Sequence, residues 1–252
     1  MIKIVVCGAA GKMGKMIIAR ILSDKELVLS GAIEWREHHA VGQLLDEINI
    51  TDNFSEALKL SDVAIDFTNM DATLFHLDIA KKQRKPLIIG TTGITDEGVE
   101  RIKNASKEIP IILAANMSVG VNLLFKLVEE IAAVLPNYDV EIVEAHHNQK
   151  KDAPSGTALK IAEIISSKLK LEHVFGRHGN VGARKKEIGI HSIRAGDIVG
   201  EHTVIFAGDG EQIEIIHRAH TRDPLAAGAI KATKWIFGKK PGLYSMRDVL
   251  GL

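Results

Sequence analysis

The sequence is short of several things at once. It holds one cysteine, Cys7, which excludes an internal disulfide framework and a cysteine-rich zinc site. Aromatic residues make up 4%, too few for the stacking platforms of single-stranded nucleic-acid binders. Charge of one sign is not in excess: 32 Lys+Arg balance 32 Asp+Glu, so composition offers no cationic face for nucleic acid. Long apolar runs are also missing. The longest, from Ile109 to Phe125, is broken by Pro110, Asn116, Ser118 and Asn122 and does not read as a membrane span. The stretch before Gly8 is too brief for a secretion signal. What is present, 46% hydrophobic and 25% charged residues in 252, is expected to form one or two cores in a cytoplasmic protein.

The first half alternates strand-like and helix-like segments. Ile2 to Cys7, Leu27 to Ile33, Val63 to Phe67, Pro86 to Ile89 and Ile111 to Ala114 read as strands buried on both faces. Helical spacing fills Lys12 to Leu22, Asp71 to Lys82 and Thr95 to Lys107 between them. Such alternation predicts parallel crossovers and an α/β, doubly wound parallel sheet. After Asn116 the pattern changes. A helix from Val121 to Leu135 precedes strand-like runs at Glu141 to Ala145, Glu187 to Arg194, Thr203 to Ala207 and Gln212 to Arg218, with a helix near Thr157 to Leu169. This predicts a second, α+β domain on a mixed open sheet. A last helix, Leu225 to Phe237, is expected to pack back on the first domain. The expected division is 1–118 plus 222–252 for dinucleotide binding, and 119–221 for substrate binding and oligomerisation.

Gly8-Ala9-Ala10-Gly11-Lys12-Met13-Gly14 joins the first strand to the first helix. Glycines here allow a tight turn, close backbone approach to a pyrophosphate and close helix–strand packing, and the helix start offers free N–H groups to the anion. Glu34 lies 20 residues beyond Gly14, at the end of the second strand, where an acid accepts ribose hydroxyls. The alternative is an ordinary glycine-rich turn. A carboxylate at the ribose favours NADH, because a 2′-phosphate would meet like charge. Arg36 either pairs with that phosphate or stays a surface charge. Both NADH and NADPH are therefore expected to work, NADH favoured or equal. Gly90, Thr91 and Thr92, and then Ala114, Ala115, Asn116 and Met117, follow strand ends where an open parallel sheet binds ligands.

The stretch from Glu144 to Thr157, EAHHNQKKDAPSGT, carries the densest chemistry. Ser155, Gly156 and Thr157 bring hydroxyls and N–H groups to a helix start, which suits a carboxylate. His147, Lys150 and Lys151 add positive charge, so the stretch reads as a receptor for a small anion such as a dicarboxylate. His146 or Lys150 can supply a proton. The plainer reading is a helix cap beside solvated lysines. Adjacent histidines on a strand point to opposite faces, and no further ligand set completes a metal site, so no metal is expected. Arg194 to Asp197, Glu201 to Thr203, His217 to His220 and Arg222 to Asp223 read as loop or sheet-surface residues.

Together these motifs resemble the dihydrodipicolinate reductase (4-hydroxy-tetrahydrodipicolinate reductase) family of bacterial lysine and diaminopimelate synthesis. The carriers are GAAGKMG at Gly8 to Gly14, DFT at Asp66 to Thr68, GTTG at Gly90 to Gly93, and AANMSVGVN at Ala114 to Asn122. They continue with EAHHNQKKDAPSGTA at Glu144 to Ala158 and RAGDIVGEHTV at Arg194 to Val204. The resemblance covers essentially the whole chain. It implies a Rossmann-type first domain, a homotetramer assembled through the second sheet, and NAD(P)H-dependent reduction of a cyclic hydroxy-imine with loss of water. It implies His146 as proton donor and acceptor, Lys150 as proton donor, and His147, Gly156 and Thr157 at the substrate carboxylates. It also implies a cofactor site at Gly8 to Met13, Glu34, Gly90 to Thr92 and Ala114 to Met117. Trp35 stands where many members carry Arg directly after the acid, and Gln149 where some carry a second His before the lysine pair. A different nicotinamide dehydrogenase, or a non-catalytic dinucleotide sensor, would share the glycine loop without needing the His146–Thr157 stretch.

Overall fold

A computed structural model describes residues 1–252. The chain forms two compact units, one of residues 1–119 with 223–252 and one of residues 120–222. No helix is long and apolar enough to cross a membrane.

The first unit runs β1 (Ile2–Cys7), α1 (Lys12–Ser23), β2 (Leu27–Ile33), β3 (Leu44–Leu45), β4 (Ile48–Thr51), α2 (Phe54–Lys59), β5 (Val63–Asp66), α3 (Met70–Gln83), β6 (Leu87–Ile89), α4 (Asp96–Ser106) and β7 (Pro110–Leu113). Helix α5 (Val119–Val134) leads into the second unit, with β8 (Asp139–His146), α6 (Gly156–Leu169), β9 (Glu172–Phe175), β10 (Glu187–Arg194), β11 (Gly200–Gly208) and β12 (Glu211–Ala219). The chain then returns as α7 (Asp223–Ile236), β13 (Gly242–Tyr244) and α8 (Met246–Leu250).

The strand order of the first sheet is β13-β7-β6-β5-β1-β2-β4-β3. Its pairs are parallel except β3 with β4. Alternation along β1 explains why its run is apolar throughout. Ile4 and Val6 face a core built with Ile17, Ile21, Ala229 and Ile236. Val5 and Cys7 face the opposite core, with Phe54, Leu58, Leu77 and Ile102. Each fully buried aliphatic side chain contributes about 1.5–3 kcal/mol. Strand order reverses between β1 and β5, so their carboxyl ends form the switch point at which such sheets bind ligands. The return segment completes this unit: Ala226, Ala229, Ile230 and Ile236 of α7 and Val249 of α8 belong to the first core.

The second sheet is mixed, in the order β12-β11-β8-β10-β9. Strands β8, β10 and β9 are parallel, while β11 is antiparallel to both β8 and β12. Val140, Ile142, Ile188, Ile190, Val204 and Phe206 share one face and pack with Leu124 and Val128 of α5 and Ile161 and Ile165 of α6. The opposite face presents Val143, Ile205 and Ile216, and at the end of β10 Ile193.

Candidate active site

The phosphate loop is shaped by absent side chains. Gly8 has φ +78°, and a Cβ there would lie 3.0 Å from the Phe67 carbonyl oxygen. A Cβ on Gly14 would fall 2.0 Å from the Gly8 oxygen, so helix and turn sit closer than any other residue permits. The N–H groups of Gly8 and Ala9 both donate to the Ile33 carbonyl, at 2.9 and 3.0 Å, holding the turn against the end of β2. No side chain caps α1 at Gly11, and its first turn has no acid. An uncapped helix start beside a side-chain-free turn fits a pyrophosphate. Glu34 reaches across the loop, where its Oε1 accepts from the Ala10 N–H at 2.8 Å. Arg36 points elsewhere: its side chain is 83% exposed and its Nε lies 3.2 Å from Asp52 Oδ2.

Two further loops leave the same sheet. Thr91 is buried and Thr92 exposed after β6, with Gly93 at φ +73°. After β7, Ala114 donates its N–H to the Ile89 carbonyl at 3.0 Å, and the Asn116 side chain accepts from the Ser118 N–H at 2.9 Å. Met117 is packed into the core, leaving only its backbone for a ligand. Burial, with Asp66 and Glu34 nearby, pushes the Cys7 thiol well above its usual value, so it is a neutral packing group.

The second unit gathers its chemistry around Glu144, which is fully buried. Its Oε2 accepts from His146 Nδ1 at 2.6 Å, and its Oε1 from the Ser155 N–H at 3.1 Å. Arg194 grips the same carboxylate with two nitrogens, at 3.0 and 2.7 Å, and donates to the Asp152 carbonyl at 2.6 Å. Burial alone would raise the Glu144 pKa, but hydrogen bonds from Arg194, Ser192 and His146 outweigh it and hold the group down at about 2. His146 is pushed below the ordinary histidine value by burial, against the opposing pull of Glu144. With Nδ1 committed to Glu144, Nε2 is the atom left for chemistry.

Beside this pair, Ser155 caps α6, its Oγ accepting from the Ala158 N–H at 3.2 Å and lying 3.1 Å from His202 Nε2. His202 is buried, its Nδ1 has no partner, and burial lowers its pKa to about 3. Gly156 opens α6, and a Cβ there would meet nothing within 4 Å, so the helix start has room in front of it. Lys150 Nζ lies 2.8 Å from both oxygens of Asp152. His147 is half-buried and Lys151 exposed.

The candidate residues therefore collect in two sets, one in each unit. Gly8 to Met13, Glu34, the 90–92 loop and the 114–117 loop ring the carboxyl end of the first sheet, whereas Arg36 faces away toward Asp52. His146, Lys150, Ser155, Gly156 and Thr157 follow the end of β8. Three residues of the second set carry more than the sequence suggested. Glu144 anchors the set from inside. Arg194 and His202, expected at the surface, are turned inward because they flank Glu144 in the β10–β8–β11 register: Ser192 and His202 pair with Glu144 directly, and Arg194 with His146.

A doubly wound sheet with an open phosphate loop, carried in one chain with a buried carboxylate–imidazole pair beside a helix start, fits a nicotinamide-dependent reductase of Rossmann type. Family models agree on the type. That for the N-terminus of dihydrodipicolinate reductase matches residues 2–117, and that for its C-terminus matches residues 120–250. The chain belongs to the dihydrodipicolinate reductase family. It is 46% identical to the 4-hydroxy-tetrahydrodipicolinate reductase of Syntrophus aciditrophicus and 47% identical to that of Aquifex aeolicus, over 100% of this chain and 99% of each relative. Among solved structures it resembles a dipicolinate-bound dihydrodipicolinate reductase from Paenisporosarcina sp. TG-14, with a TM-score of 0.82, 25% identity and 97% of both chains covered. The fold is shared more distantly with GenD2 of gentamicin A biosynthesis, at a TM-score of 0.64 and 13% identity, over 99% of this chain and 90% of that one.

Proposed function

We propose that this chain reduces 4-hydroxy-2,3,4,5-tetrahydrodipicolinate, with loss of water, to tetrahydrodipicolinate on the route to diaminopimelate and lysine. The observation that carries the site assignment is the buried carboxylate of Glu144, which fixes both His146 and the start of α6. A nicotinamide nucleotide held by the first unit would supply the hydride for an electron-poor ring carbon conjugated to C=N. The N–H groups at Gly156 and Thr157 take one substrate carboxylate, with His147 and Lys150 adding positive charge, while Ser155, whose own N–H is given to Glu144, shapes the helix start beside them. Binding requires Lys150 to exchange Asp152 for the substrate. His146, through Nε2, and Lys150, through Nζ, hold the proton that quenches charge developing on the ring nitrogen or neighbouring carbon.

On the cofactor side, Gly8 to Met13 would hold the pyrophosphate, and Glu34 the ribose hydroxyls. The 90–92 and 114–117 loops would hold the nicotinamide end. With Glu34 fixed at the loop and Arg36 engaged by Asp52, NADH should serve at least as well as NADPH. The face of the second sheet turned from its helices, where Ile193 and Ile216 are 47% and 44% exposed, is the surface we assign to homotetramer assembly. The decisive experiment follows NADH and NADPH oxidation on freshly made product of the preceding synthase. Turnover with NADH at least equal to NADPH is expected. Absence of turnover with either cofactor rejects the activity, and a strong NADPH preference rejects the role given to Glu34.

A further inference from the structure

Asp66 is a buried carboxylate that the reaction above leaves unused. It ends β5 at the switch point, where its register neighbours are Cys7 on β1 and Ile89 on β6. Its Oδ1 accepts from the Thr68 N–H at 3.0 Å, from the Thr68 hydroxyl at 2.6 Å and from the Thr73 hydroxyl at 3.2 Å. Its Oδ2 lies 2.6 Å from Nδ1 of His76, a buried residue of α3 whose ring packs 4.4 Å from that of Phe54. The Cys7 sulfur lies within 4.8 Å of these ligand-type atoms. Yet Asp66 and His76 already satisfy each other, so the cluster is a closed hydrogen-bond unit.

The unit has one outward branch. Thr73 Oγ1 lies 2.7 Å from the Thr91 hydroxyl, which is itself 3.4 Å from Asp66 Oδ1. A hydroxyl has one hydrogen to give. The buried Asp66 oxygen, which can only accept, favours two arrangements: Thr73 gives its hydrogen to Asp66 and Thr91 donates to Thr73, or Thr73 donates to Thr91 and Thr91 gives its own hydrogen inward to Asp66. In both cases the Thr91 oxygen keeps only acceptor capacity toward the loop's outer side. The backbone is held as well, since Gly90 donates its N–H to the Asp66 carbonyl at 2.8 Å. Gly90 also lies so close under Phe67 that a Cβ would stand 2.3 Å from that ring.

We propose that Asp66, braced by His76 and acting through Thr73, is a positioning residue that fixes the Thr91 hydroxyl as an acceptor for an amide N–H₂ group, the carboxamide of the nicotinamide ring. The inference rests on the nicotinamide-nucleotide reading of the first unit and goes beyond it by assigning a function to three residues that touch no ligand. It requires that the relay support the nicotinamide half of the cofactor and leave the adenosine half untouched.

The test is calorimetric titration of the full chain with NADH and, separately, with ADP-ribose, which lacks the nicotinamide. Thr73→Val removes the link at nearly constant volume, and Asp66→Asn removes the anion, so either variant serves should the other fail to fold. Either is expected to weaken NADH about tenfold while ADP-ribose stays within about twofold, and Thr73→Ser should restore NADH binding. Equal loss on both ligands, no loss on either, or failure of Thr73→Ser to restore binding overturns the positioning role. A wild-type chain that binds neither ligand instead overturns the cofactor reading, and the positioning role with it.

Discussion

Glu144 sets the behaviour of individual residues in the second unit. It orients His146, so the imidazole presents one nitrogen outward in one tautomer. His146→Ala should lower kcat by about 10²–10⁴-fold with the fold intact. Near-normal turnover would remove the imidazole from the reaction. The pH profile carries a second prediction. Burial lowers the His146 pKa in the free protein, whereas a bound dianion raises it by attraction. If His146 acts as the acid, rate falls as pH rises through its pKa. The descending limb in kcat/KM, which reports the free enzyme, should then lie at lower pH than the limb in kcat, which reports the complex. Coincident limbs would show that the substrate charge does not reach this imidazole. His146 and Ser155 were legible as chemistry because they crowd one short stretch. Glu144 was not legible as their anchor: its partner Arg194 lies 50 residues away, and only the strand register brings the two together.

Among elements, the β1–α1 junction is the most constrained. Gly14→Ala would press a methyl group against the Gly8 carbonyl at 2.0 Å, backbone against backbone, with no flexible side chain to yield. Overpacking of this kind costs about 1–3 kcal/mol, and relief by opening the turn would spoil the anion cradle. Calorimetry should show weaker NADH binding together with a lower melting temperature. A variant that binds NADH as well as the wild type would show that the close packing is dispensable. Most strands and helices of the first unit could be read because buried parallel strands are apolar throughout and end in glycine or polar turns. The elements that escaped were short: β3 and β4, α2, β9, β13 and α8. Strand β9, Glu172–Phe175, shows mostly exposed positions, so no apolar pattern marks it. Strand β13 has three residues and is a strand only because β7 lies beside it.

For the molecule as a whole, acid should be the characteristic stress. Glu144 has a folded-state pKa near 2 against an ordinary 4.5, so its stabilising contribution is present above pH 4.5 and is lost as pH falls toward 2. That contribution is on the order of 3 kcal/mol. His202 acts in the same direction by another route. It stays neutral in the folded state down to about pH 3 but takes a proton near 6.5 when unfolded, so stability declines from pH 6.5 downward. Chemical denaturation across pH should show the second unit losing stability in two stages, first below 6.5 and then below 4.5. His202→Gln should shrink the first stage, to which His146 and His217, also lowered by burial, add, and leave the second in place. A wild-type chain whose stability is level from pH 7 to 4 would contradict both assignments.

The return of the chain to its first sheet bears on how the protein is made. Residues 223–252 supply α7, β13 and α8, which cover one side of a sheet whose other strands were synthesised much earlier. A ribosome delivers those residues last. Until release, the nascent nucleotide-binding half must carry an uncovered layer of isoleucine and valine through the whole translation of the intervening hundred residues. Newborn chains are therefore the form most in need of a chaperone, and premature termination between residues 119 and 223 would leave that layer sticky for good.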